Sequence, residues 1–159
     1  GGSADNAPLR GRKGQMFEGG IRVPCIVKWP GKIPAGATSD EFLTSLEILP
    51  TLCAATGAAP PKGVALDGFD MLSVLQGKRA SPRAEMFWQR KLDKAARVGH
   101  WKWVESSRGN GLFDLRHDIG ERRDLSKERP EILKRVQARF ANWKKQMQAA
   151  EPRGPFRDF

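Results

Sequence analysis

Apolar positions along the chain change spacing three times, and each spacing predicts a different element. Ile21, Val23, Cys25, Ile26, Val27 and Trp29 form a short β-rich run closed by Pro30-Gly31. That pattern predicts a buried strand followed by a turn. Phe42, Leu43, Leu46, Leu49, Leu52 and Ala55 recur mostly at every third residue, which predicts an amphipathic helical region. Pro50 has no amide hydrogen, so the helix starts or kinks there; Gly57 is its natural stop, and Pro60-Pro61 forbids continuation. Leu66 to Asp70 then reads as a turn, and Met71, Leu72 and Leu75 as a short helix ended by Gly77.

From Arg83 onward the period shortens. Glu85 to Gln89, Ala95 to Val98, Trp101 to Val104 and Leu112 to Leu115 read as four closely spaced strands, with Gly99-His100 at a turn. Close spacing of this kind predicts an antiparallel sheet. After Pro130, at a first helical position, Leu133, Val136, Phe140, Trp143 and Met147 repeat every three or four residues. They predict a helix laid with its apolar stripe on one face of the sheet. The opening, Gly1 to Gly14, has no apolar period and reads as a loop; Glu151 to Phe159 reads as a surface tail.

Composition narrows the class. A chain of 159 residues with 39% hydrophobic content can bury a core. No apolar run approaches the roughly 18 to 20 residues of a membrane span, and no charged-then-apolar leader opens the sequence. Lys and Arg number 28 against 18 Asp and Glu, a net charge of +10. Such a surface attracts polyanions, but the basic residues are spread over three stretches rather than one patch, the pattern of a solvated surface. Cys25 and Cys53 stand in apolar surroundings and read as buried thiols. His100 and His117 stand alone, so the chain carries no metal site of its own. Trp88, Trp101 and Trp103 alternate along strands and read as core before a sugar-stacking platform.

The chemistry lies in the segment Leu9-Arg10-Gly11-Arg12-Lys13-Gly14-Gln15-Met16-Phe17-Glu18-Gly19-Gly20-Ile21-Arg22-Val23-Pro24. It resembles the second signature of the sulfatase family, a glycine-framed lysine followed by Glu-Gly-Gly-x-Arg-x-Pro. The resemblance continues in order through Lys28-Trp29-Pro30-Gly31, Leu46 to Leu52, Leu66 to Asp70, Arg97 to Lys102 and Leu112 to Glu121. It covers residues 1 to 148. It implies an α/β architecture: a fragment of the large sulfatase sheet, then a small antiparallel sheet of about four strands packed by a C-terminal helix. The implied division is 1–80 for the C-terminal part of the catalytic domain, 81–150 for the small sheet and helix, and 151–159 for the tail.

By the same resemblance Lys13 is the catalytic lysine that binds sulfate, and Glu18, Gly19, Gly20 and Arg22 support its loop, the glycines by allowing unusual backbone angles. His100 is a candidate substrate contact at the pocket rim. The family uses calcium and a formylglycine made within a Cys/Ser-x-Pro-x-Arg motif, and no such motif occurs here. Asp5-Asn6 follows Gly1-Gly2 and so is not the family's calcium-binding Asp-Asn pair, which precedes a glycine. Nucleophile and metal ligands are thus expected outside this chain, in a missing N-terminal sulfatase part. The chain alone is expected to be inactive. The implied substrate is a sulfate monoester, with sulfated carbohydrate as the class that the basic surface suggests, and the implied compartment is periplasmic or secreted. Two rivals stay open: a phosphate or phosphonate ester hydrolase of the same alkaline-phosphatase-like superfamily, and a non-catalytic polyanion-binding module.

Overall fold

The computed structural model describes residues 5–60 and 62–150. Residues 1–4, Pro61 and the expected tail over 151–159 lie outside the described residues. Two compact units result, one of residues 24–84 and one that joins 5–23 to 85–150. The sequence division assigned residues 5–23 to the same part as 24–80. They pack instead with the sheet, because Met16 and Phe17 supply apolar cover for one of its faces.

That sheet is a four-stranded antiparallel meander. β1 (Glu85–Arg90), β2 (Asp93–Val98), β3 (Trp101–Ser106) and β4 (Gly109–Asp114) follow one another in space as in sequence. Register is set by pairs such as Ala96 with Trp103 and Trp103 with Leu112. Alternation sends Ala96, Trp103 and Leu112 to one face, where α4 (Pro130–Ala149) lays Val136 and Phe140 on them. Phe140 meets Trp103 at 5.4 Å in an edge-to-face contact, and Phe87 stacks on Trp143 at 5.5 Å. The opposite face carries Ala95, Val104 and Phe113 under Met16 and Phe17. Both faces are therefore covered, where the sequence pattern had predicted cover on only one. Trp88 lies on the Phe17 face and Trp101 and Trp103 on the helix face, so the three tryptophans form no common platform.

The other unit has little regular structure. A 3-10 turn (Ser45–Glu47) leads into α2 (Ile48–Thr56), and α3 (Leu72–Leu75) follows later. The 3-10 turn that leads into α2 is fixed by a capping box: Thr44 accepts from the Leu46 amide while the Glu47 side chain accepts from the Thr44 amide. Pro50 falls in the first turn, where no amide hydrogen is needed, and Gly57 closes the helix at φ 74°. Glu47 is buried and paired with Arg83, and Thr51 links Glu47 to Met71 by hydrogen bonds of 2.6 and 2.9 Å.

Two expectations fail in this stretch. The strand over 21–29 does not form: Glu18–Ile21 is instead a short helix, α1, and residues 22–29 have no regular structure. A strand needs a neighbour for its amides and carbonyls, and no described residue pairs with this segment; Ile26 is 94% exposed. For the same reason Cys25, expected to be buried, is exposed, whereas Cys53 is buried as expected; both are free thiols.

Candidate active site

Lys13 stands at the corner of a β-turn. The Gln15 amide donates to the Arg12 carbonyl at 3.0 Å, and Gly14, third in the turn, has φ 88°. A type II turn requires that left-handed angle, so glycine after the lysine follows from the turn itself. The Lys13 side chain is exposed, while Met16, Phe17 and Glu18, just beyond, are buried. An exposed cation is thus carried on a loop whose far stem is anchored in the sheet unit.

Both stems are held by specific contacts. The Gly19 amide donates to the Arg10 carbonyl at 2.7 Å, closing the base of the loop. Asn6 Nδ2 donates to the carbonyls of Gly11 and Gly19 at 3.0 and 3.1 Å, so this side chain is committed to holding backbone. The Arg10 guanidinium lies 3.9 Å over the Phe17 ring, a cation–π contact. Gly19 and Gly20 have no left-handed φ. Their role is close approach: a Cβ on Gly19 would meet the Gly11 and Arg10 carbonyl oxygens, and one on Gly20 those of Gln15 and Arg12. The unusual angles in this segment belong to Gly11 and Gly14.

Under the loop sits a buried charge cluster. Lys102 on β3 is 0% exposed and donates to Glu18 Oε1 at 2.8 Å. The same Nζ lies 2.8 Å from Glu121 Oε1, an ion-pair contact rather than an aligned hydrogen bond. Arg22 reaches Glu18 Oε2 at 2.6 Å. Burial alone would raise the Glu18 pKa, but Lys102 and Arg22 outweigh it and hold the carboxyl below its ordinary value. Glu121 goes the other way: burial raises its pKa, and the attraction of Lys102 offsets only part. The role of Lys102 was missed in the sequence because Trp-Lys-Trp reads as an alternation with lysine in solvent. Val104, two residues on, was the available signal, since it marks the Lys102 face as apolar too.

His100 lies at the β2–β3 turn, and Gly14 approaches Arg90 at the other end of the sheet's strands, with Arg90 Nη1 donating to the Gly14 carbonyl at 3.2 Å. The Lys13 turn and His100 are therefore toward opposite ends of β2. His100 Nε2 is 2.8 Å from Arg116 Nη2, and its ring lies 5.0 Å from Trp101. Burial and the neighbouring Arg116 lower its pKa. His117 is exposed and bonded to Asp114 at 3.0 Å. Beside the lysine loop an open cleft of about 770 Å³ is bordered by Asn6, Arg10, Arg12, Gln15, Glu121 and Arg122.

Residues 12–149 match the family described as N-sulphoglucosamine sulphohydrolase, C-terminal. The chain belongs to the sulfatase family, as part of its C-terminal portion. Arylsulfatase A of Homo sapiens is 48% identical over 80 residues, which are 50% of this chain and 15% of that protein. N-acetylgalactosamine-6-sulfatase of Canis lupus familiaris is 33% identical over 106 residues, 64% of this chain and 20% of that one. A solved structure, Ps i-CgsB in complex with k-i-k-neocarrahexaose, superposes with a TM-score of 0.78 at 30% identity. It covers 88% of this chain and 32% of its own. The sulfatase chain described here thus spans a fifth or less of these curated relatives and about a third of that solved neighbour.

Proposed function

We propose that this chain serves as the C-terminal part of an enzyme that hydrolyses sulfate monoesters, and that Lys13 is its sulfate-binding cation. The observation that carries the reading is the Lys13 turn: an exposed ammonium on a loop fastened at both stems, in a chain of the sulfatase family. A protonated amine donates up to three hydrogen bonds, and its positive charge stabilises a sulfate group and a leaving oxygen gaining negative charge. Holding it on a fixed loop lowers the reorganisation needed when that charge develops.

Calcium and formylglycine complete the proposal, with their residues outside this chain. Among the described residues no three His, Cys, Asp or Glu side chains gather into a group able to hold a metal ion. The described residues do not fit a calcium site. A partner part is supported by apolar side chains left in solvent: Val23, Ile26, Ile48, Leu49 and Leu52 are all exposed. Large apolar side chains left in solvent are what a missing packing partner leaves behind, and the N-terminal sulfatase part is the occupant that fits.

Sulfated carbohydrate is the proposed substrate class. The net charge of +10 supports it, as does the k-i-k-neocarrahexaose held in complex by the solved neighbour Ps i-CgsB. The test is Lys13→Met in the intact enzyme, assayed with an aryl sulfate and a sulfated oligosaccharide. Removing one such charge-stabilising donor lowers kcat by roughly 100- to 1,000-fold. Unchanged kcat would remove Lys13 from the chemistry. Faster turnover of the matching phosphate ester than of the sulfate would move the enzyme to phosphate hydrolysis.

A further inference from the structure

Glu121 is fully buried, yet the chemistry proposed for Lys13 makes no use of it. It touches both stems of the lysine loop. Its main-chain carbonyl accepts from Arg10 Nη1 at 2.8 Å, on the entering stem. Its Oε2 accepts from the Glu18 amide at 2.6 Å, on the leaving stem. Its Oε1 lies 2.8 Å from Lys102 Nζ, which also holds the Glu18 carboxylate. Residue 121 is thus the point where the two ends of a loop from the other end of the sequence are tied to each other and to β3.

We infer that Glu121 is a positioning residue, a clasp that fixes where the Lys13 ammonium stands. The inference rests on the reading of Lys13 as the sulfate-binding cation. Backbone geometry supports it. Glu121 has φ 52°, a left-handed angle uncommon outside glycine. The turn that imposes the angle is itself pinned, since Asp118 Oδ2 accepts from the Arg122 and Arg123 amides at 2.7 and 2.8 Å. Such strain persists only where the surroundings over-determine it. A buried carboxylate is also a poor choice for stability alone, because desolvation offsets most of its attraction to a cation. What it supplies is direction: two acceptors and a charge that allow the stems one arrangement. Displacing a catalytic group by about 1 Å costs on the order of 100-fold in rate.

The experiment compares Glu121→Ala, Glu121→Gln, Arg10→Met and Lys13→Met in the intact enzyme with 4-nitrocatechol sulfate as the probe. A second readout is the rate of native-state trypsin cleavage after Arg12 and Lys13, divided by the rate within α4. Glu121→Ala is expected to lower kcat about 10- to 100-fold while KM moves less than about 3-fold. It also raises the loop-to-helix cleavage ratio. Glu121→Gln keeps one oxygen for the Glu18 amide but turns its NH2 toward the Lys102 ammonium, so it restores part of both readouts. Arg10→Met, which leaves the buried carboxylate in place, shifts both readouts as Glu121→Ala does, and it decides the matter alone where Glu121→Ala fails to fold. An unchanged cleavage ratio in Glu121→Ala, or in Arg10→Met in that case, overturns the clasp. So does a loss of activity that Glu121→Gln fails to restore. Wild-type kcat in Lys13→Met sinks the Lys13 reading instead, and the cleavage ratio still decides whether Glu121 holds the loop.

Discussion

Replacing Lys102 by Met keeps the length of the side chain and removes a cation shared by two buried carboxylates. Breaking a buried ion pair from one side costs about 3–5 kcal/mol, because the partner is left charged and desolvated. Two features place the expected cost toward the lower end. Glu18 keeps Arg22 at 2.6 Å, so only part of its compensation is lost. Glu121, whose pKa burial already raises, escapes by taking up a proton. That escape gives the prediction its pH signature. A carboxyl with a raised folded pKa binds a proton that the unfolded chain releases, so stability falls as pH rises from the unfolded value of about 4.3 through the folded one. In Lys102→Met the folded value moves up further, and the penalty grows with pH by as much as about 1.4 kcal/mol per unit over that window. Urea unfolding at pH 5 and pH 8, followed by tryptophan fluorescence, is expected to show a loss of about 3 kcal/mol at pH 8 and at least about 1 kcal/mol less at pH 5. A loss below about 1 kcal/mol at pH 8 would mean that Lys102 does not compensate these carboxylates. So would an equal loss at both pH values.

Glu121→Gln removes the raised carboxyl and leaves Lys102 and Glu18 paired one to one. Urea midpoints for this variant are expected to match the wild type near pH 4 and to equal or exceed it at pH 7; a midpoint that falls behind as pH rises contradicts the sign of the Glu121 shift. Gly20→Ala drives a methyl into the Gln15 and Arg12 carbonyls and is expected to cost about 1–3 kcal/mol. Gly36→Ala, at φ 70° with open space around it, carries only the left-handed penalty of about 1 kcal/mol; thermal melting that ranks the two the other way would refute the close-approach account. Phe140→Ala empties the contact between α4 and Trp103 and Phe87, with an expected loss of about 3–5 kcal/mol in chemical denaturation.

The sheet and α4 were legible in the sequence because each carries its reason locally. Trp101 and Trp103 alternate on β3, and Val136, Phe140 and Trp143 form a helical stripe, so period alone assigns both elements and tells them apart. The Lys13 turn was legible as a motif and as a loop, and Gly14 explains its shape. What lay beneath it was not legible. Lys102 and Glu121 look like surface charges in any short window, and their burial follows only once residues 5–23 are placed across the sheet's second face. A charge is buried when partners arrive from distant sequence, and local pattern carries no trace of that meeting. Glu18 pairs with Lys102 across 84 positions and Glu121 binds the Glu18 amide across 103.

The segment after Arg22 fails for the complementary reason. Val23, Ile26 and Val27 have the composition of a buried strand, yet they are exposed and unpaired among the described residues. Apolar side chains in α2 behave alike: Ile48, Leu49 and Leu52 face solvent while Thr51 and Glu47 are buried. The pattern in these stretches is strong, and under the proposed assembly the N-terminal sulfatase part supplies the surface that meets it. By contrast the sheet buries both of its faces with residues of this chain alone. The two behaviours divide the molecule: a sheet unit that holds the Lys13 loop through Lys102 and Glu121, and a stretch whose exposed apolar side chains the proposed partner part covers. Under the proposed assembly, the precision of the lysine comes from inside this chain, and the group it acts upon comes from outside.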